Sequence, residues 1–478
     1  RTSASSEALN YYQEGLRLYL QAYKANADTE KLAMFEKNIA VALYNKCQWE
    51  ESVKHFDKVM EFWGIPAYPN KIITFALFTK NAIIITTGLD FLFQRAKLST
   101  SMRDNEIFDL FYKKCVALLF YDNIGFFIFA TSCFNRALKY EMNNSPETIN
   151  VVLGQAGTLA HLGLLLKFSN RLLQKSDAVM NRKNIKNSMS YTLMRTLIHM
   201  FLGNWEKINF FEGSIVNNAL NIGEFFNATI YFLVFSIPKI ECGNFHEVEP
   251  LYKKLAEIGE SYDYDAAKIW ALSAKTDLLL KRHQFSQVLS KSEQGIALSR
   301  QLNMKNEQLK FWANRAEALV CMNYMEEGKQ AIIQAEKIIE QQKIVPPIFF
   351  AYYLLARFVM DIQILKESIY SKKPESKIFR NAAFKSGKWA LKKLKKFKPW
   401  HNKEFRLMGE YYWLIGWQKN ALRWWNQAIQ IGEKLNTRPE LSRTYFEVGR
   451  SLLQPNSKYS QLNGMTAQEY LEKARSMF

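Results

Sequence analysis

One pattern constrains this chain more than any other: a small, large, small triplet of side chains at i, i+4 and i+7 that keeps returning. It reads Ser52-Phe56-Val59, Ala130-Phe134-Ala137, Gly328-Ile332-Ala335, Ala383-Gly387-Ala390, Ala421-Trp425-Ala428 and Ala467-Leu471-Ala474. Weaker copies stand at Leu89-Phe93-Ala96, Ser169-Leu173-Ser176, Ile208-Glu212-Ile215, Val248-Tyr252-Leu255 and Val288-Ser292-Gly295. This spacing places the three side chains on one face of a helix. In four successive copies the first member falls at 208, 248, 288 and 328, a constant spacing of 40. A helical unit that repeats at fixed period buries its apolar face only against its neighbours, so the chain is expected to fold by stacking.

The connections repeat as well. Gly203-Asn204-Trp205, Gly243-Asn244-Phe245 and His283-Gln284-Phe285 precede their triplets by one shared offset, with Trp49 and Trp417 in nearly the same place. Gly or Asn there is expected to end a first helix in the left-handed conformation, and the aromatic to fold back onto the hairpin end. Composition agrees with helices. Among 478 residues there are 20 Gly and 11 Pro, too little turn punctuation for a sandwich or a doubly wound sheet.

Within Phe405–Ile431, Gly409, Tyr412, Ala421, Trp425 and Ala428 fall at the relative spacing of the tetratricopeptide signature. Ala467, Leu471 and Ala474 repeat the packing face in the last unit. The expected fold is all-α: a right-handed superhelical solenoid of about eleven tetratricopeptide-like hairpins, with no sheet. A period of 40 exceeds the usual 34, which implies longer helices or longer loops. Insertions at Ser371–Ser376 and Gln454–Gly464 favour loops. The chain divides into an N-terminal helix over 1–27, repeats over 28–370, a lysine-rich repeat with a loop insertion over 371–403, and C-terminal repeats over 404–478. Ala8, Tyr12 and Gly15 have second-helix spacing, so the first helix reads as a cap or as half of a repeat cut from a longer protein.

The stretch Glu404–Phe478 resembles the extreme C-terminus of large AAA/STAND-type signalling ATPases, which often carry a class III nucleotide cyclase or a protein kinase domain upstream. The resemblance lies in Gly409–Gly416, Arg438–Arg450 and Glu469–Phe478. It implies a non-catalytic, cytoplasmic, regulatory solenoid that senses a signal and binds a protein, a peptide or upstream domains of the same polypeptide.

The residues themselves offer little chemistry. No phosphate-binding glycine loop occurs; Ala382–Trp389 lacks the first Gly and the Ser/Thr and sits mid-helix. The histidines, His55, His161, His199, His246, His283 and His401, have no ligand spacing. Five cysteines, Cys47, Cys115, Cys133, Cys242 and Cys321, form no framework, which suits a reducing compartment. No catalytic, cofactor or metal residue is assigned. The apolar windows Ile72–Phe93 and Cys115–Phe134 carry Lys80, Asp90 and Asp122, so both read as buried helices, not membrane spans. Trp424 points about 100° away from Trp425, into the seam between repeats or onto an exposed surface.

Net charge is +19, with 64 basic and 45 acidic residues. Between Lys366 and Lys403 lie 13 basic residues and two acidic ones. On a wheel for 377–397, Lys385, Lys388, Lys392, Lys395 and Lys396 oppose the stripe of Ala383, Gly387, Ala390, Leu391 and Leu394. With Lys398 and Lys403 they form either a solvated face or a docking face for an acidic partner. Two other readings stay open: a basic solenoid binding nucleic acid, and a small-molecule sensor with its pocket in 108–134 and 225–237.

Overall fold

The fold is given by a computed structural model that describes residues 4–65, 98–140, 145–163, 165–183, 187–342, 344–372 and 374–477, with Ile72, Ala76 and Thr79 besides. The triplet Leu89-Phe93-Ala96, most of the Ile72–Phe93 window and Lys373 of the 371–376 insertion lie outside the described residues.

The protein is all-α, and its helices follow one another in pairs. They are α1 (Ala4–Tyr23), α2 (Thr29–Asn45), α3 (Trp49–Phe62), α4 (Met102–Tyr121), α5 (Asn123–Ala137), α6 (Pro146–His161), α7 (Leu166–Lys183), α8 (Met189–Leu202), α9 (Gly213–Ile222) and α10 (Phe225–Cys242). There follow α11 (Phe245–Ser261), α12 (Asp265–Lys281), α13 (Phe285–Gln301), α14 (Lys305–Cys321), α15 (Met325–Glu340), α16 (Pro347–Tyr370), α17 (Ser376–Leu394), α18 (His401–Leu414), α19 (Gln418–Leu435), α20 (Arg438–Leu452) and α21 (Ala467–Met477). The chain forms two compact units. The first comprises Arg1–Ile198, Glu212–Tyr231 and Glu257–Lys268; the second comprises His199–Phe211, Phe232–Ala256 and Ile269–Phe478.

One turn recurs between successive helices, within pairs and also between them, as at Asp263-Tyr264, Asn303-Met304 and Asn436-Thr437. After α10, the Gly243 N–H donates to the Ile240 carbonyl and the Asn244 N–H to the Lys239 carbonyl, with Gly243 at φ +79°. These two bonds cap the last orphan carbonyls of the helix and reverse the chain in three residues. The same two bonds recur at Cys47-Gln48, Gly203-Asn204, His283-Gln284, Asn323-Tyr324 and Gly416-Trp417, each with positive φ at the first residue. The aromatic that follows folds back as its spacing predicts: Trp205 Nε1 donates to the Met200 carbonyl at 3.0 Å, and Trp417 stacks on Tyr412.

In the first unit, α1 lays Leu9, Tyr12 and Leu16 on Ile39, Ala42 and Leu43 of α2. The Cys115–Phe134 window is not one helix, because α4 ends at Tyr121 and α5 starts at Asn123. That break brings Cys133 against Cys115, both buried free thiols, a proximity the sequence does not reveal.

In the second unit, α14 packs on α15 and α16, α16 on α17 and α18, and α18 on α19 and α20. The first helices thus touch one another directly, and the second helices cover them from one side. The triplets do the packing: Ala383, Ala390, Ala421, Trp425 and Ala428 are wholly buried. The Trp425 indole fills the space a Cβ on Gly409 would need. Tyr412 is half-buried against the same cluster.

Three expectations are corrected. Ile208-Glu212-Ile215 is not a helical triplet: Ile208 ends a 3-10 turn (Trp205–Ile208) and α9 starts only at Gly213. That copy has no small residue to let two helices touch. The extra length around 371–376 goes into the helices, α16 having 24 residues and α17 19, and not into a long loop. A two-residue ladder, β1 (Gln461–Leu462) with β2 (Met465–Thr466), breaks the purely helical pattern. Its turn is Asn463-Gly464, both at positive φ, the pair that a tight hairpin selects.

Candidate functional site

The buried charged residues described in the second unit lie on its first helices, with half-buried Lys281, Glu317, Tyr352 and Arg443 beside them. Glu241 comes from α10, Asp277 and Lys281 from α12, Lys310 and Glu317 from α14, Tyr352 from α16, Lys403 and Arg406 from α18, and Glu440 and Arg443 from α20. Helical spacing aligns them. Asp277 and Lys281 are four apart, and Lys310, Asn314 and Glu317 follow i, i+4, i+7, so each helix turns one polar edge the same way.

Every charge meets its opposite. Lys281 Nζ lies 2.7 Å from Glu241 Oε2 and 3.4 Å from Glu440 Oε1. Arg406 Nε lies 3.2 Å from Glu440 Oε2, and Arg443 Nη1 2.6 Å from Glu440 Oε1. Lys403 pairs with Glu317. Asp277 accepts from Lys310 at 2.7 Å, Asn314 at 2.9 Å and the Tyr352 hydroxyl at 2.8 Å. Burial of such charges is tolerated only because they are paired and hydrogen-bonded.

The electrostatics follow from these partners. Burial raises the Glu440 carboxyl, but Lys281, Arg443, Arg406 and Lys403 together outweigh it and hold the group well below the usual carboxylate range. Burial also raises Glu241, which has Lys281 against it but Glu440 beside it, and the net shift stays upward. Burial lowers Lys281, yet its two carboxylates prevail and its proton is held more tightly than usual. Glu404, one residue beyond Lys403, has burial alone acting on it, which pushes its carboxyl up to about 8; its Oε1 has no hydrogen-bond partner.

These side chains surround a cavity of about 40 Å³ lined by Ile237, Ile240, Glu241, Asp277, Leu280, Lys281, Glu317, Tyr352, Leu355, Trp400 and Lys403. That volume holds about two or three waters. The lining combines apolar side chains with charges of both signs.

No family model matches the chain, and a search of curated proteins finds no match. The site therefore stands on its own geometry.

The lysines expected on one exposed face divide in the structure. Lys385, Lys388 and Lys392 are exposed along α17, as the wheel places them. Lys395 and Lys396 are also exposed, but they follow the last helical residue, Leu394. Lys398 is half-buried in a 3-10 turn (Lys398–Trp400). Lys403 is corrected outright: it is 9% exposed and paired with Glu317, so it lines the cavity and does not extend the docking face. Trp424 is half-buried against Phe405, with ring centroids 5.5 Å apart. Among the described residues no group of three His, Cys, Asp or Glu is placed to hold a metal ion. Among the described residues two helices, α10 and α16, are long and apolar enough to cross a membrane, and 78% and 67% of their apolar windows are buried within the protein.

The ion-paired cluster is what sequence reasoning passed over. A signal was present: Asp277, Glu241 and Glu440 stand inside otherwise core-forming helical faces, where an unpaired charge is forbidden. Apart from Arg443, three residues from Glu440, the pairing partners lie 33 to 159 residues apart and carry no local pattern.

Proposed function

We propose that this chain is a non-catalytic interaction module whose first-helix face in the second unit receives a segment of a partner polypeptide. The observation that supports it most is the cavity, where five helices and a 3-10 turn converge and Lys281, Lys403, Glu241, Glu317 and Asp277 offer charges of both signs beside Trp400 and Tyr352. Such an edge recognises a chain that carries its own charged and aromatic side chains. Fixed ion pairs suit recognition better than proton transfer, because Glu440 and Lys281 are both held firmly in their charged forms.

The wider setting is part of the proposal and rests on the resemblance of 404–478 alone: a cytoplasmic regulatory segment beside nucleotide-handling domains of a signalling ATPase.

The test is selection of a displayed peptide library on the purified protein. A consensus peptide is expected, with at least tenfold weaker binding to the double variant Lys403→Met, Glu317→Leu. Removing both partners of a buried pair is nearly neutral for folding, so the loss reports recognition. Failure to enrich any consensus, or equal binding to the double variant, contradicts the proposal.

A further inference from the structure

Helix α17 carries a second surface, on the side away from its packing stripe. Ala383, Ala390 and Leu394 are wholly buried, and a Cβ at Gly387 would meet Phe358 and Met408 at 2.7 Å. The helix is therefore fixed and cannot rotate. Its outer arc carries Lys385, Lys388, Lys392 and Lys393, all exposed, and Lys395 follows just past its end. From Ser376 to Leu394 there is no Asp or Glu. None of these five lysines has an acidic partner among the described residues; Lys388 only lies over the Phe384 ring at 5.6 Å. Like charges at i,i+3 and i,i+4 cost a few tenths of a kcal/mol per pair, and no acidic side chain among the described residues pairs with them to offset that.

Two features separate this arc from a plain solvated face. The first is apolar exposure among the lysines. At 100° per residue, Ile378 and Trp389 fall within about 20° of each other and inside the lysine arc. Ile378 is 65% exposed and Trp389 38% exposed. The Trp389 ring is steadied by Phe350 and Tyr353, which meet it near 80°. The second is the choice of cation. The exposed charges are all Lys, while Arg380 is half-buried and lies over the Trp417 ring at 5.3 Å. Ammonium groups on flexible stems offer point charges to a plane of negative headgroups, and exposed Ile378 and Trp389 among them offer apolar surface that a phosphate backbone does not use.

We propose that this face docks on an anionic lipid surface, with the lysines among the headgroups and Ile378 and Trp389 at the edge of the acyl region. A rigid basic helix with an apolar centre lies flat in that boundary and is released as salt screens the charges. This surface is distinct from the cavity and independent of what the cavity binds.

The test is co-sedimentation of the full chain with vesicles. Binding is expected to phosphatidylcholine containing about 30% phosphatidylserine and not to phosphatidylcholine alone, and it should fall steeply between about 50 and about 300 mM salt. The Lys385, Lys388, Lys392, Lys393→Gln variant should bind on the order of a hundredfold more weakly. Ile378→Ser should bind roughly tenfold more weakly with the salt dependence unchanged. All four lysines and Ile378 are exposed, so unchanged circular dichroism is expected for both variants. Absence of binding to the serine-lipid vesicles overturns the proposal, as does equal binding by the lysine variant. Lysine-dependent binding confined to a polyuridine strand, with Ile378→Ser unaffected, also overturns it and assigns the face to nucleic acid.

Discussion

Trp425 occupies the space beside Gly409 that any larger residue would need, and its Nε1 donates to the Arg406 carbonyl at 3.1 Å. The glycine is what allows α18 and α19 to touch, and the indole fills what remains of the gap. Gly409→Ala and Ala421→Trp are each expected to destabilise by about 1–3 kcal/mol through overpacking. Trp425→Ala should cost about 3–5 kcal/mol through the cavity it leaves. Chemical denaturation checks all three, and changes within about 0.5 kcal/mol would mean that the hairpin contact is misplaced.

The buried pairs make a different prediction. Lys281→Met strands Glu241 and removes one cation from Glu440, so it should cost about 3–5 kcal/mol. Adding Glu241→Leu should recover much of that loss, because no charge is then left unpaired. A double-mutant cycle that showed simple additivity would contradict the pairing.

Two neighbouring groups should tilt stability with pH in opposite directions. Burial pushes Glu404 up to about 8, so the folded state keeps a proton that the unfolded state loses near 4.5. Its favourable contribution is complete below about 4.5 and is lost as pH rises to about 8. Burial pushes His401 down to about 4, so its contribution is complete above about 6.5 and is lost as pH falls to about 4. Glu404→Gln should therefore raise stability at pH about 8 by roughly 2–4 kcal/mol and leave it little changed near pH 4. Unfolding free energies measured across that range check the sign, and a variant that is weaker at pH 8 would contradict it.

The thiols supply a simple probe of packing. Burial pushes Cys47 up to about 12 and raises Cys133 well above its ordinary value, with Cys115 adding to the latter shift. These three should resist an aromatic disulfide reagent at pH about 8 and react on unfolding. Rapid reaction of Cys47 or Cys133 in the folded protein would show that α2 or α5 is misplaced.

Much of the fold was legible because its determinants are local. A small residue at Ala383, Ala421 or Gly328 announces a helix contact wherever it stands in the period, and Gly203 or Gly243 announces the turn that ends a helix. The copy at Ile208 misled because spacing alone was present: a 3-10 turn ends at Ile208 and α9 begins only at Gly213, so its three residues do not share a helix. The candidate site was hidden for the opposite reason. Lys403 looks like one more lysine of a basic run, and only Glu317, far back in the sequence, shows that it faces inward. The Asn463-Gly464 hairpin was readable as a turn pair, but the two residues on either side are too short a run to read as strands.

The most direct test is hydrogen exchange of the whole protein with and without the consensus peptide from the library selection. The account predicts slowed exchange along α12, α14 and α18, at the polar edges that carry Lys281, Glu317 and Lys403, with α13, α15 and α19 unchanged. Protection confined to those second helices, or no protection by a peptide that binds, would contradict it.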